Sequence, residues 1–298
     1  MKVFLTGASG VMGRSTTTAL VREGHDVVGL VRSDRAAEVV ARHGARPHRG
    51  TVFDVDALVD GMRGCDVVLN FAGRMPVGLS MLRPGAWRAN DRIRARGSHQ
   101  VAKAAVAAGV PRLVQQSRSS IYADGGDDWI DEQAPVEITR DTDTVAEAEQ
   151  QAELVRREGG ELVVLRLGQI VGPEPSTRWM VRRARSGRPI GWGDPASWVH
   201  LLHVDDVGSA AAAALTAPDG TYNVGAEPCR RQDLAEQVAL AGGRRGGRFH
   251  HAATQRLGGI RLETFARSQR VTSQRFGDRA GWHPQYPKLT PDWFDGVL

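Results

Sequence analysis

A short apolar run, Val3–Leu5, leads into Thr6-Gly7-Ala8-Ser9-Gly10-Val11-Met12-Gly13, and helix-forming residues follow from Arg14. Three glycines at i, i+3 and i+6 between a strand and a helix leave few folds open. The first permits a tight turn, the second a close approach of backbone to a pyrophosphate, and the third close packing of helix on strand. The helix N-terminus then offers free N–H groups and a positive dipole end to phosphates. A turn cluster without a ligand is the alternative reading, but this triplet follows the first strand and opens a βαβ unit, the context the fingerprint requires. Gly7, Ser9, Gly10, Val11, Met12, Gly13 and Arg14 are therefore the candidate phosphate-binding set.

Short β-branched runs continue to alternate with alanine-rich helical stretches, the mark of parallel βαβ units. Strands are expected at Val3–Leu5, Val27–Val31, Val67–Phe71, Leu113–Gln116, Leu162–Leu167 and Tyr222–Val224, and helices at Arg14–Glu23, Asp56–Arg63, Arg88–Ala108, Val145–Glu158, Val204–Leu215 and Arg231–Ala241. From Gly168 the pattern loosens into turn-rich sequence. The expected fold is α/β, a Rossmann-type doubly wound parallel sheet with a smaller, irregular C-terminal substrate lobe. Residues 1–167 form the dinucleotide-binding domain, to which 199–225 return, and 168–198 with 226–298 form the lobe.

Composition narrows the function. With 298 residues and 41% hydrophobic content, the chain supports a full core. The two cysteines, Cys65 and Cys229, make neither a disulfide framework nor a zinc site, and the His250-His251 pair lacks partners at ligand spacing, so no metal is expected. No apolar run approaches the ~20 residues of a membrane helix, and no cleavable leader is visible, so a cytoplasmic protein is expected. The net charge of +5 comes from scattered arginines rather than a basic stripe, which argues against nucleic acid as a partner. The oligomeric state is not legible. At the end of the second strand stands Val31-Arg32-Ser33, without the acid that would bond a ribose 2′-hydroxyl. Arg32 and Arg14 instead suit a 2′-phosphate, so NADPH is the expected cofactor, with NADH possible. Arg32 as one more surface arginine is the bland alternative.

Several further motifs occur in a telling order: Phe53-Asp54-Val55, Asn70-Phe71-Ala72-Gly73, Asn90, Gln116-Ser117 with Tyr122 beyond, Arg166-Leu167-Gly168 with Gly172-Pro173, and His203-Val204-Asp205-Asp206. Together with the glycine loop they resemble the extended short-chain dehydrogenase/reductases, the NAD-dependent epimerase/dehydratase group, across nearly the whole chain. The resemblance implies that Asp54 and Val55 flank the adenine. It implies that Phe71, Ala72 and Gly73 line the ribose and pyrophosphate, and that Gly168, Gln169 and Ile170 approach the nicotinamide.

One element of that family is missing. Its chemistry uses a tyrosine with a lysine four residues later, helped by a serine or threonine, and this pair is worth about 10²–10⁴-fold in rate. The three tyrosines here, Tyr122, Tyr222 and Tyr286, are followed at that spacing by Gly126, Ala226 and Thr290. Aligned on Ala152-Glu153, Val145 stands where the tyrosine belongs and Glu149 where the lysine belongs, while Arg118 falls on the serine position between Ser117 and Ser119. Among atypical members the chain resembles ketoreductases of angucyclinone-type aromatic polyketides, in which a phenol of the substrate would take over the tyrosine's role. The expected activity is NADPH-dependent reduction of a ketone on a polycyclic aromatic polyketide in antibiotic biosynthesis, with Val145 leaving apolar room for flat rings. A non-catalytic NADP(H)-binding sensor or scaffold is the alternative, and a nucleotide-sugar epimerase or dehydratase the third reading.

Ser117 and Ser119, at the C-terminal end of a central strand, are candidate hydrogen-bond donors to the substrate carbonyl, or else satisfy local backbone. Candidates for the substrate wall are Met75, Arg118, Tyr122, Trp179, Trp192, Trp198 and His203. For each the bland reading stands beside it: a surface arginine, a phenol too weakly acidic without a lysine, tryptophans in ordinary packing, and a histidine that caps the following helix.

Overall fold

Strand β1 (Lys2–Thr6) pairs in parallel with β2 (Asp26–Val31) on one side and β4 (Val67–Asn70) on the other. β3 (Arg46–Arg49) closes the near edge, while β5 (Arg112–Arg118), β6 (Glu161–Leu167) and β10 (Gly220–Val224) extend the far one. In this computed structural model, which describes residues 1–83, 85–250, 264 and 266–298, the seven-stranded sheet has the order β10-β6-β5-β4-β1-β2-β3 with every pair parallel. A parallel sheet covered on both faces needs strands apolar on both sides, which is why these segments read as continuous hydrophobic runs.

Helices α1 (Val11–Arg22), α2 (Asp34–Arg42) and α8 (Asp206–Ala214) cover one face, burying Leu20, Val40, Val207 and Ala211 against Val3, Leu5 and Leu165. On the other lie α3 (Val55–Met62), α5 (Ser98–Ala107) and α6 (Asp143–Arg157), with Leu58, Val101, Ala105 and Val155 on Phe4, Val68 and Leu113. The long third helix expected from sequence is present but interrupted: α4 (Arg88–Arg92) passes through a π turn at Ile93–Gly97 into α5. Such turns often mark functional positions in helices.

Several elements differ from the sequence reading, beginning with β3, α2 and α7. β3 has the sequence Arg-Pro-His-Arg and no apolar alternation; it is an edge strand whose register is set by β2, with Val31 opposite Arg49. α2 begins after Ser33, whose side chain accepts the Ala36 N–H at 3.3 Å. α7 (Pro175–Arg185) lies in the stretch read as loop, although its start carries proline at the first position and Glu174 accepting from Ser176 N at 2.7 Å and from Thr177 N.

Beyond β6 the chain builds two small ribbons. β7 (Gln169–Val171) pairs in parallel with β9 (Leu201–His203), and β8 (Trp198–Val199) pairs antiparallel with β11 (Cys229–Arg230). Their apolar side packs with α7 and α9 (Arg231–Ala241) around Val171, Val181, Leu201, Val238, Trp293 and Phe294. Helix α10 (Gln274–Ala280) returns Phe276 to the sheet face beside Tyr222 and Trp282.

Candidate functional site

The C-terminal ends of β1, β4, β5 and β6 converge on one edge of the sheet, the edge where ligands bind in open α/β folds. At β1 the glycine loop is sterically obligatory. Gly7 has φ +69°, and a Cβ there would lie 2.4 Å from Phe71 O; a Cβ on Gly13 would lie 2.2 Å from Gly7 O. Gly10 is the N-cap of α1 and has no side chain to spend on the first-turn N–H groups, which remain for a ligand. Arg14 folds back onto the loop, donating to Ser9 O at 3.2 Å. The cradle therefore fits a dinucleotide pyrophosphate in shape and in polarity.

At the adenosine end, Arg32 is exposed and has no ion pair with a described residue, whereas Ser33 is engaged in capping α2. Arg49, at the parallel end of β3, pairs with Asp34 at the start of α2 and went unnoticed in the sequence. Asp54 caps α3 by accepting Ala57 N at 3.1 Å, and Val55 is the first residue of that helix. Gly168 links β6 to β7, where a Cβ would meet the Leu201 backbone at 2.8 Å. Gln169 and Ile170 follow it in β7, the former donating its N–H to His200 O at 2.8 Å.

A buried polar belt ties these strand ends together. Thr6 Oγ1 donates to Asn70 Oδ1 at 2.7 Å and accepts the Ala72 N–H at 3.1 Å. Asn70 Nδ2 donates to Gln115 Oε1 at 2.8 Å and Ser98 Oγ at 3.2 Å, and Gln116 Nε2 donates to Ala72 O at 3.2 Å. Asn90 Oδ1 accepts the Arg74 N–H at 3.1 Å. The bonds to Ala72 N, Ala72 O and Arg74 N fix the Phe71–Arg74 backbone beside the glycine loop, and the others hold Asn70 in place. Gln115 and Ser98 were not singled out from sequence, because polar residues inside a strand or helix show their purpose only once the neighbouring elements are placed.

The residues aligned from sequence with the family's acid–base pair, Val145 and Glu149, have other partners. Val145 is 2% exposed and packs with Ile121, Tyr122, Ile130 and Val271, so the apolar room expected there is already occupied. Glu149 receives a bidentate pair from Arg166, Nε to Oε1 at 3.0 Å and Nη2 to Oε2 at 2.8 Å, and Ser117 Oγ donates to the same carboxylate. Burial works to lower the Arg166 pKa, but the Glu149 hydrogen bonds and charge hold it above its ordinary value. The guanidinium lies 4.9 Å from the Tyr122 ring centroid, and Tyr122 Oη donates to Asn223 Oδ1 at 2.9 Å. Burial raises that phenol's pKa against the lowering influence of Arg166, so Tyr122 is a weaker acid than a free tyrosine.

Neither candidate serine presents a free hydroxyl to the edge. Ser117 is 2% exposed and spends its proton on Glu149, while Ser119, 4% exposed, lies 3.0 Å from His200 Nδ1. Arg118, read as an outward-pointing surface side chain in its bland form, is turned inward to Asp141 at 3.1 Å. His203 is buried, its ring 3.7 Å from that of Tyr286 and its Nδ1 accepting the Asp205 N–H at 3.3 Å. The tryptophans have separate partners. Trp179 lies against Gly78, Trp192 stacks on His250 at 3.9 Å, and Trp198 sits between Arg230 at 3.8 Å and Arg270 at 4.6 Å. Met75 stands exposed just past the polar belt. His251 lies outside the described residues; among those described, no group of three His, Cys, Asp or Glu side chains is placed to hold a metal, and no helix is long and apolar enough to cross a membrane.

His200, missed in the sequence, joins the lobe to the sheet through Ser119 and, at 3.4 Å, Ser273. Burial lowers its pKa from 6.5 to about 3, so it is neutral in the fold. The unfolded chain takes up a proton first as pH falls, so the stability from neutral His200 is complete above 6.5 and is lost progressively toward 3. The slope approaches ~1.4 kcal/mol per pH unit within that window. His200→Gln is expected to flatten the acid limb of a Tm-versus-pH profile; an unchanged limb would assign the acid sensitivity to other groups.

Comparison with known proteins places this geometry. The chain matches the NAD dependent epimerase/dehydratase family over residues 3–225. A Stigmatella aurantiaca protein, 4-hydroxy-2-methyl-3-oxo-4-farnesyl-3,4-dihydroquinoline-1-oxide ketoreductase, is 37% identical over 129 residues, which are 42% of this chain and 36% of that protein. A 3-diazoavenalumate denitrifying reductase from Streptomyces sp is 29% identical and covers 100% of this chain and 99% of its own. Among solved structures, human epimerase family protein SDR39U1 with NADPH shares the fold at TM-score 0.83 and 22% identity, over 100% of this chain and 99% of that one.

Proposed function

Since the chain belongs to the NAD-dependent epimerase/dehydratase family and is an NAD(P)-dependent oxidoreductase of the short-chain dehydrogenase/reductase type, we propose that it uses NADPH to reduce a ketone on a polycyclic aromatic polyketide of the angucyclinone type, as its resemblance to the ketoreductase of simocyclinone biosynthesis implies. The observation that carries this reading is the pairing of an intact nucleotide cradle with a vacated acid–base pair. A Cβ on Gly7 or Gly13 would strike neighbouring backbone and one on Gly10 would come 3.1 Å from Gly7 O, while Val145 is packed away and Glu149 is neutralised by Arg166. Glu149 cannot activate a phenol as a lysine would.

NADPH, when bound, supplies the hydride. The loop N–H groups and Arg14 would hold the phosphates, and Arg32, with Arg49 beside it, would meet the 2′-phosphate. Asp54 and Val55 would flank the adenine, the belt around Asn70 would keep Phe71, Ala72 and Gly73 at the sugar, and Gly168, Gln169 and Ile170 would border the nicotinamide. The chain's contribution to rate is then orientation, which reaches ~7–11 kcal/mol in favourable cases. The proton for the new hydroxyl comes from a phenol of the substrate. The full-length relative named as a denitrifying reductase of a diazo compound favours a second reading, in which the hydride acceptor is a diazo arene rather than a ketone.

Absorbance decay of NADPH with a panel of polycyclic ketones, diazo arenes and UDP-sugars tests both. Turnover of a 7-oxo angucyclinone, faster with NADPH than with NADH and nearly abolished by methylating the substrate's neighbouring phenol, is the expected result. Full activity on the methyl ether would refute substrate assistance, and turnover confined to diazo arenes would select the second reading.

A further inference from the structure

Arg94 has no counterpart in the chemistry described so far. It lies in the π turn between α4 and α5, is 6% exposed, and donates no hydrogen bond to any described residue. Its Nε is sealed from solvent without a partner, and its Nη nitrogens are neither sealed nor bonded. Its electrostatic neighbours are Arg118, Asp141 and Asp91. Arg118 ends β5, the strand end that carries Ser117, and its Nη2 reaches Asp141 Oδ2 at 3.1 Å and Asp141 O at 3.3 Å, while its own Nε is also sealed and unpartnered. Asp141 is hydrogen-bonded to Arg118, and only its charge reaches Arg94, while Asp91 has an interaction of its own.

Burying a guanidinium that no carboxylate hydrogen-bonds is costly, and an anionic ligand can supply the missing acceptor. The planar fork of arginine matches a carboxylate with two parallel N–H bonds. We propose that Arg94 and Arg118 form a carboxylate-binding subsite at the end of β5, so that the aromatic substrate is an acid anchored beside the reacting carbonyl. The assignment to the substrate rests on the hydride-transfer reading above; the anion site itself does not. Burial, and next the charge of Arg118, lowers the Arg94 pKa to about 9, which leaves it protonated at neutral pH and able to take an anion.

The test is calorimetric binding of 2-naphthoate and of 2-naphthamide, which share a ring system and differ in charge, to the NADPH-saturated protein. Naphthoate is expected to bind at least about tenfold more tightly than the amide, and Arg94→Met to abolish that difference. This variant keeps the Arg118–Asp141 pair and removes only an unpaired buried charge, so its Tm should be unchanged or higher while its NADPH affinity persists. Equal binding of acid and amide to the unaltered protein, or no binding of the acid, would overturn the proposal. So would an Arg94→Met protein that loses several degrees of Tm yet still prefers the acid, which would mark Arg94 as structural. Failure of ketone turnover with the acid preference intact would count only against the ketoreductase reading.

Discussion

Glu149→Ala is expected to destabilise the protein by about 3–5 kcal/mol, the cost of leaving one member of a buried ion pair alone. Arg166 would keep its charge with only 11% of its side chain exposed, and Ser117 would lose the acceptor for its hydroxyl. Glu149→Lys restores the residue type that the family places at this position, yet it sets a second cation against Arg166 and should be worse than alanine rather than a gain of function. The double substitution Glu149→Leu with Arg166→Met removes both charges together and is expected to recover most of the loss. Urea unfolding midpoints of the four proteins measure this directly. If Glu149→Ala unfolds within about 1 kcal/mol of the unaltered protein, the pair is solvated and does not hold the fold.

The second large effect falls on the cofactor. Gly13→Val places its first side-chain carbon 2.2 Å from Gly7 O and 2.6 Å from the Ala8 backbone, so α1 must move away from β1. NADPH affinity should fall by at least about 100-fold, or ~2.7 kcal/mol, because the first-turn N–H groups leave the pyrophosphate. Gly24 is the control: it has φ +81° but nothing within 4 Å of a Cβ, so Gly24→Ala should lower stability modestly and leave cofactor affinity unchanged. Fluorescence titration with NADPH, alongside circular dichroism to show that each variant is folded, separates the two. Retained affinity in Gly13→Val would mean that the pyrophosphate does not lie on this loop.

The glycine loop was legible because its chemistry is local: three backbone positions and the start of a helix lie within seven residues, and no distant neighbour is needed to interpret them. The apolar strands were legible for a related reason, since a sheet buried on both faces writes its pattern into each strand. β3 and α2 were not. Arg46–Arg49 is a strand only because β2 offers it a ladder, and α2 announces itself mainly through the Ser33 cap.

The side chains above the sheet divide the same way. That Val145 and Glu149 cannot act as tyrosine and lysine follows from residue identity alone. What they do instead required the third dimension: Glu149 meets Arg166 from another strand, Ser117 turns toward α6, and Ser119 meets His200 from the lobe. Arg94, far from β5 in the chain, reveals its missing partner only when the π turn carries it against Arg118 and Asp141. The sequence by itself determined the glycine turn between β1 and α1 and the absence of a tyrosine with a lysine four residues later, because both depend on which atoms a short segment possesses. Only the tertiary structure decided which buried charges are neutralised and which stand open, because charge pairing depends on the distance between residues remote in the chain.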